Sequence, residues 1–148
     1  MRTKSATWYE CKARYDKTSD AGEAKKVTEL FVVDALSFTE AESRVMDEIA
    51  CYISGGIELK GLREAIYKEV VFSGNDGDNE WFKVKVCFLA LDEKSGKEKW
   101  SLAVYLVQAG GIKEAFANIG EMMRSAMSDY VIQSVVRTKV IDVFEYNK

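Results

Sequence analysis

A chain of 148 residues that is 47% apolar and 30% charged can bury one sizeable core and carries no signature of disorder. Its net charge of −3 speaks against a generic polyanion binder. The absence of histidine removes the commonest general base, metal ligand and triad partner. Cys11, Cys51 and Cys87 are widely spaced and form no metal-ligand motif, and no apolar run of about 18 residues occurs, so a cytoplasmic protein with no membrane partner is expected.

The first six residues read as a polar lead-in. Residues 8–16 alternate with period two: Tyr9, Cys11, Ala13 and Tyr15 share one face, and Trp8, Glu10, Lys12 and Arg14 the other, as in a half-buried strand. Thr18-Ser19-Asp20-Ala21-Gly22 is a hairpin connection, and residues 26–34 form the returning strand. Ser37-Phe38-Thr39-Glu40 is a capping box, followed by Ala41, Val45 and Ile49 at helical spacing, which predicts a helix over about 38–52. Gly55-Gly56 ends it, and residues 57–72 read as one long strand or two short ones broken near Gly61. The turn-rich stretch 73–80 follows. Its acids lack the spacing of a calcium loop, because Glu80 comes only three residues after Gly77.

The plan then repeats. Trp8-Tyr9-Glu10-Cys11-Lys12-Ala13-Arg14-Tyr15 returns as Trp81-Phe82-Lys83-Val84-Lys85-Val86-Cys87-Phe88. Val33-Asp34-Ala35 returns as Val107-Gln108-Ala109, and Glu40-Ala41 as Glu114-Ala115. A second strand pair over 81–91 and 98–108, a helix over about 111–128 and a strand over 131–145 complete it. The expected fold is α+β: one domain, 1–148, of tandem β-β-α-β repeats (about 7–73 and 80–146) joined at 73–80. Antiparallel sheet, helices on one face and a pseudo-twofold are the expected arrangement.

Catalytic motifs are absent. Ser95-Gly96-Lys97 is a hairpin tip and not a phosphate loop, and Glu40, Glu42, Asp47 and Glu48 fall on the first helix, where the N-terminal acids complement its dipole. A non-enzymatic protein without cofactor or metal is expected. A carboxylate-only hydrolase stays open and would require two acids converging in one pocket. The expected binding residues are Trp8, Lys12, Phe31, Trp81, Lys85 and Tyr105, assigned to the sheet face away from the helices. Rings beside ammonium groups on an open sheet suit single-stranded nucleic acid, the rings stacking on bases and the lysines meeting phosphates. The competing expectation is that protein covers this face, within the chain or in a homo-oligomer.

Trp8-Tyr9-Glu10-Cys11-Lys12, Lys26-Val27-Thr28-Glu29, Val33-Asp34-Ala35-Leu36-Ser37-Phe38-Thr39-Glu40-Ala41-Glu42 and Leu91-Asp92-Glu93-Lys94-Ser95-Gly96 resemble domain of unknown function 4494 over nearly the full length. That resemblance implies a cytoplasmic protein of Bacteroidetes-type bacteria, their phages or mobile elements, and brings no catalytic residues. Two functions are therefore expected. One is an accessory protein that engages single-stranded nucleic acid or a nucleic-acid-processing partner. The other is a self-associating interaction or counter-defence protein that sequesters a host protein or small ligand.

Overall fold

The structure, a computed structural model, describes residues 1–53 and 55–146. It contains β1 (Arg2–Lys4), β2 (Trp8–Thr18), β3 (Ala24–Asp34), α1 (Phe38–Ala50), β4 (Glu58–Glu64), β5 (Glu69–Phe72), β6 (Glu80–Leu91), β7 (Glu98–Ala109), α2 (Ile112–Met122), β8 (Asp129–Arg137) and β9 (Val140–Phe144). The fold is mixed α+β and mostly strand. It divides into two compact units, each with one sheet and one helix: residues 6–66 with the stretch from Lys139, and residues 1–5 with Tyr67–Thr138.

In the 6–66 unit the sheet order is β4-β2-β3-β9. β2 and β3 pair antiparallel from Trp8↔Asp34 to Thr18↔Ala24. The connecting turn closes through the Gly22 amide, which donates to the Ser19 carbonyl at 2.9 Å, and the φ of +81° there suits glycine alone. Helix α1 starts where its capping residues dictate. The Glu40 amide donates to Ser37 Oγ at 3.1 Å, while the Glu40 carboxylate accepts from the Leu36 amide at 3.4 Å, one residue earlier than a strict capping box. Ala41, Val45 and Ile49 lie on one stripe of the helix and bury against Tyr9, Cys11, Ala13, Tyr15, Phe31 and Val33. Burial, with the Glu42 charge adding to it, pushes the Cys11 thiol up to about 11, so it stays an uncharged core group.

In the 67–138 unit the order is β1-β5-β7-β6-β8. β6 and β7 form the hairpin; the Asp92 carboxylate accepts from the Lys94 amide and the Ser95 hydroxyl, each at 3.0 Å, and Gly96 takes a φ of +68°. Ala115 and Ile119 of α2 pack on Phe82, Val84, Val86, Tyr105 and Val107. The α2 N-cap is Gly111, which offers no side-chain hydrogen bond. The Gln108 side chain pins the 73–80 turn: its Oε1 accepts from the Ser73 amide at 3.0 Å and its Nε2 donates to the Asp78 carbonyl at 2.9 Å.

Several expectations are corrected. The polar lead-in contains β1, which pairs antiparallel with β5. Residues 57–72 are two strands in different sheets, and the break falls at 65–68, not at Gly61. The Ala65 amide donates to the Trp8 carbonyl at 2.7 Å and the Lys68 amide to the Val104 carbonyl at 2.8 Å, so the chain leaves one ladder and joins the other between them. The stretch 131–145 is likewise divided, at Thr138, whose amide and hydroxyl both donate to the Trp81 carbonyl. The sheets are mixed, because β9 runs parallel to β3 and β5 parallel to β7. Helix α2 stops at Met122 and passes into a 3-10 turn, Met123–Ser125, beyond which its apolar stripe does not continue. Among the described residues no helix is long and apolar enough to cross a membrane.

Candidate ligand cleft

The six residues expected to form a binding face do not share one. In an antiparallel pair, directly opposed residues lie on the same face. Phe31 is opposite Cys11, and Tyr105 is opposite Val84, so both rings sit on the helix-bearing faces of their sheets and are buried there. The parity of each returning strand is fixed by its turn, at 19–23 and 92–97, and the repeat alone does not reveal it. Trp8 and Trp81 do point away from the helices, but they are 1% and 3% exposed. A ring with no free face cannot stack on a base, and none of Trp8, Phe31, Trp81 and Tyr105 has one. Trp81 instead meets Phe72 edge-to-face at 5.7 Å.

The lysines are differently placed. Lys12 is exposed and lines a groove of about 380 Å³ with Lys60, Arg63 and Glu10; Arg63 is paired with Glu10 and Lys60 with Glu58, each at 2.9 Å. Those pairs neutralise most of the positive charge a phosphate backbone would need. Lys85 is half-buried, opposite Val104. Trp100 is the tryptophan that does reach solvent, at 53% exposure.

Chemistry gathers elsewhere, in a cleft of about 520 Å³ in the 6–66 unit, between the C-terminal end of α1 and the far end of the sheet. Its floor is apolar: Phe31 of β3 and Phe144 of β9 stack at 5.4 Å with 17° between the rings, flanked by Ile49 and Ile53. Its wall is polar. Tyr15 of β2 donates its hydroxyl to Glu29 Oε1 of β3 at 2.5 Å, and the Lys17 ammonium approaches the same oxygen at 3.4 Å. The Glu29 side chain is only 9% exposed, which makes this hydrogen-bonded pair a fixed feature of the wall. Asp142 completes it, so two carboxylates face one ammonium; Asp16, next to Tyr15 on β2, alternates to the other side of the sheet. Burial, then the hydrogen bond to Glu29 and its charge, holds the Tyr15 phenol well above its ordinary value.

That shift gives a direct check. A phenol whose folded value is raised contributes stability that is intact below about pH 10 and is lost as pH climbs toward the folded value. In Glu29→Gln the hydrogen bond to a carboxylate and the negative charge are both removed, leaving burial alone. Absorbance titration at 295 nm is expected to show one tyrosine ionising earlier in the variant than in the parent protein. Superimposable titration curves would contradict the Tyr15–Glu29 coupling.

None of Tyr15, Glu29 and Asp142 was singled out as a functional residue from the sequence. One partial signal was present: Glu29 alternates in step with Val27, Phe31 and Val33, an acid in an otherwise apolar set, although the turn decides which face that set takes. The contribution of Asp142 and Phe144 had no such signal, because it depends on β9 reaching a sheet whose other strands lie more than 70 residues earlier. Among the described residues no group of three or more His, Cys, Asp or Glu could hold a metal ion, Asp16, Glu29 and Asp142 included.

The family profile described as domain of unknown function (DUF4494) matches residues 7–146. The chain belongs to that family. The match takes in both units and every strand except β1. No curated protein and no solved structure shows significant similarity to the chain.

Proposed function

We propose that this member of the DUF4494 family is a non-enzymatic binding protein that holds a small apolar ligand with a cationic end in the cleft beneath Tyr15 and Glu29. The observation that carries the reading is the pairing of a stacked Phe31–Phe144 floor with a wall of two carboxylates and one ammonium, in a volume suited to a small molecule. An aromatic or branched aliphatic body would lie on the floor, and an amine would meet Glu29 or Asp142 in a charge-assisted contact. This is the sequestering function expected as the alternative to nucleic-acid stacking. Burial of the four expected rings favours it, and a phage or mobile-element accessory role accommodates it.

The architecture is read in the same way, as two β-β-α-β repeats that exchange their last strands. Support comes from the matching orders β4-β2-β3 and β8-β6-β7, and from the parallel strand that completes each: β9 beside β3, and β5 beside β7. Carboxylate-only hydrolysis is less well supported. Glu29 is tied to Tyr15 and Lys17, and a general acid or base needs an uncommitted carboxyl within reach of its substrate.

The test uses two probes of one shape and opposite charge, 2-phenylethylamine and 3-phenylpropionate. The amine at about ten times its dissociation constant should add on the order of 1.4 kcal/mol and raise the melting temperature by a few degrees. The carboxylate should leave it unchanged, and Glu29→Gln should reduce the amine's effect. Equal shifts from both probes, or none from either, would remove the assignment.

A further inference from the structure

The 67–138 unit has a cleft of its own, about 560 Å³, between the end of α2 and the far end of its sheet. The residues at matching places differ in an informative way. Phe88 on β6 stands where β2 has Tyr15, Tyr105 on β7 where β3 has Phe31, and Met123 where α1 has Ile49. Glu69 of β5 lies opposite Tyr105, as Asp142 of β9 lies opposite Phe31. At these matched places each cleft thus keeps one phenol, one other aromatic ring and one carboxylate on its parallel strand, with the phenol moved to the other strand; the first cleft adds Tyr52 and Phe144.

The electrostatics differ. Where the first cleft sets two carboxylates against one ammonium, this one sets Glu69 beside Lys68. The Lys68 ammonium lies 5.6 Å from the centre of the Phe88 ring, at the cleft wall. Among the described residues it makes no ion pair with Glu69, so both charges are available to a bound molecule. The apolar lining includes Met122 and Met123, flexible side chains that adapt to irregular apolar shapes.

We propose that this second cleft is a site for an apolar zwitterion, of the class of a free hydrophobic amino acid. The ligand's carboxylate meets Lys68, its ammonium meets Glu69, and its side chain lies among Phe88, Met122 and Met123. The proposal stands on residues separate from those of the first cleft and does not depend on the amine reading there.

The experiment is a two-dimensional amide NMR titration of the full chain with L-phenylalanine, and separately with 2-phenylethylamine and 3-phenylpropionate. Each of the last two lacks one of the zwitterion's charges. L-Phenylalanine should move the amides of Lys68, Glu69, Ser101 and Tyr105, and bind there about fivefold or more tightly than either analogue. Lys68→Ala and Glu69→Gln should each weaken L-phenylalanine about fivefold while leaving the rest of the amide spectrum in place, which separates lost binding from lost folding. Equal affinity of the three probes at these amides, unchanged affinity in both variants, or no response up to the solubility of L-phenylalanine would overturn the proposal. So would a response confined to Tyr15, Phe31 and Asp142, which would leave the first cleft's reading in place.

Discussion

Trp8→Ala is expected to lower the folding free energy by about 3–5 kcal/mol, measured as a drop in urea midpoint at unchanged slope. The reason is burial: at 1% exposure the indole is among the largest fully covered side chains in the protein, and its removal loses transfer energy and leaves a cavity. A second variant sharpens the expectation. Among the described residues the buried Trp8 indole N–H has no hydrogen-bond partner, which costs the native state about 1–3 kcal/mol. Trp8→Phe removes that donor along with part of the ring, so the two effects offset and the loss should be much smaller than for alanine. If Trp8 were instead a surface stacking platform, the alanine variant would stay within about 0.5 kcal/mol of the parent and change only binding.

The second large effect is expected at Arg44. Asp34, at the end of β3, is buried, and Arg44 from α1 donates to its carbonyl and to its Oδ1, the latter at 2.6 Å. The same Oδ1 accepts the Tyr146 amide at 2.8 Å, and the guanidinium lies 5.2 Å from the centre of the Tyr146 ring. With side chains only 14% and 7% exposed, the pair is nearly desolvated, and each charge depends on the other. Arg44→Met keeps the apolar stem and deletes the charge, taking the guanidinium away from a buried carboxylate. A loss of about 3–5 kcal/mol is expected, together with faster hydrogen exchange at the Tyr146 amide. Conversion of Asp34 to Asn in the same background should recover part of the loss, because a neutral amide can still accept from Tyr146. A loss below about 1 kcal/mol in Arg44→Met would mean that the pair is solvated and contributes as a surface bridge does.

These two sites also mark how far the sequence could be read. The alternation of Tyr9, Cys11, Ala13 and Tyr15, and the spacing of Ala41, Val45 and Ile49, are local patterns, and the strand and helix they predict are present with their faces as expected. The Ser37 cap was legible for the same reason. What failed was non-local. The face of Phe31 and Tyr105 is set by the parity of a turn, and the burial of Trp8 and Trp81 by packing that no window of sequence contains. The cleft is non-local too: Tyr15, Glu29 and Ile49 belong to one stretch, but Asp142 and Phe144 arrive on a parallel strand from the far end of the chain. Parallel pairing at such separation leaves no short-range trace. Glu29 was a partial exception, an acid in an otherwise apolar alternating set, and its partner Tyr15 explains why the core tolerates it once the turn places it there.

The most direct measurement is an amide NMR titration of the full chain with 2-phenylethylamine. Binding on the order of 1 mM is expected for a probe with about nine non-hydrogen atoms. Saturable shifts are expected at amides around Tyr15, Glu29, Phe31, Tyr52 and Asp142, absent there with 3-phenylpropionate and weakened in Glu29→Gln. Shifts that fail to saturate, that centre on Lys12 and Arg63, or that are equal for the two probes would contradict the proposed amine site.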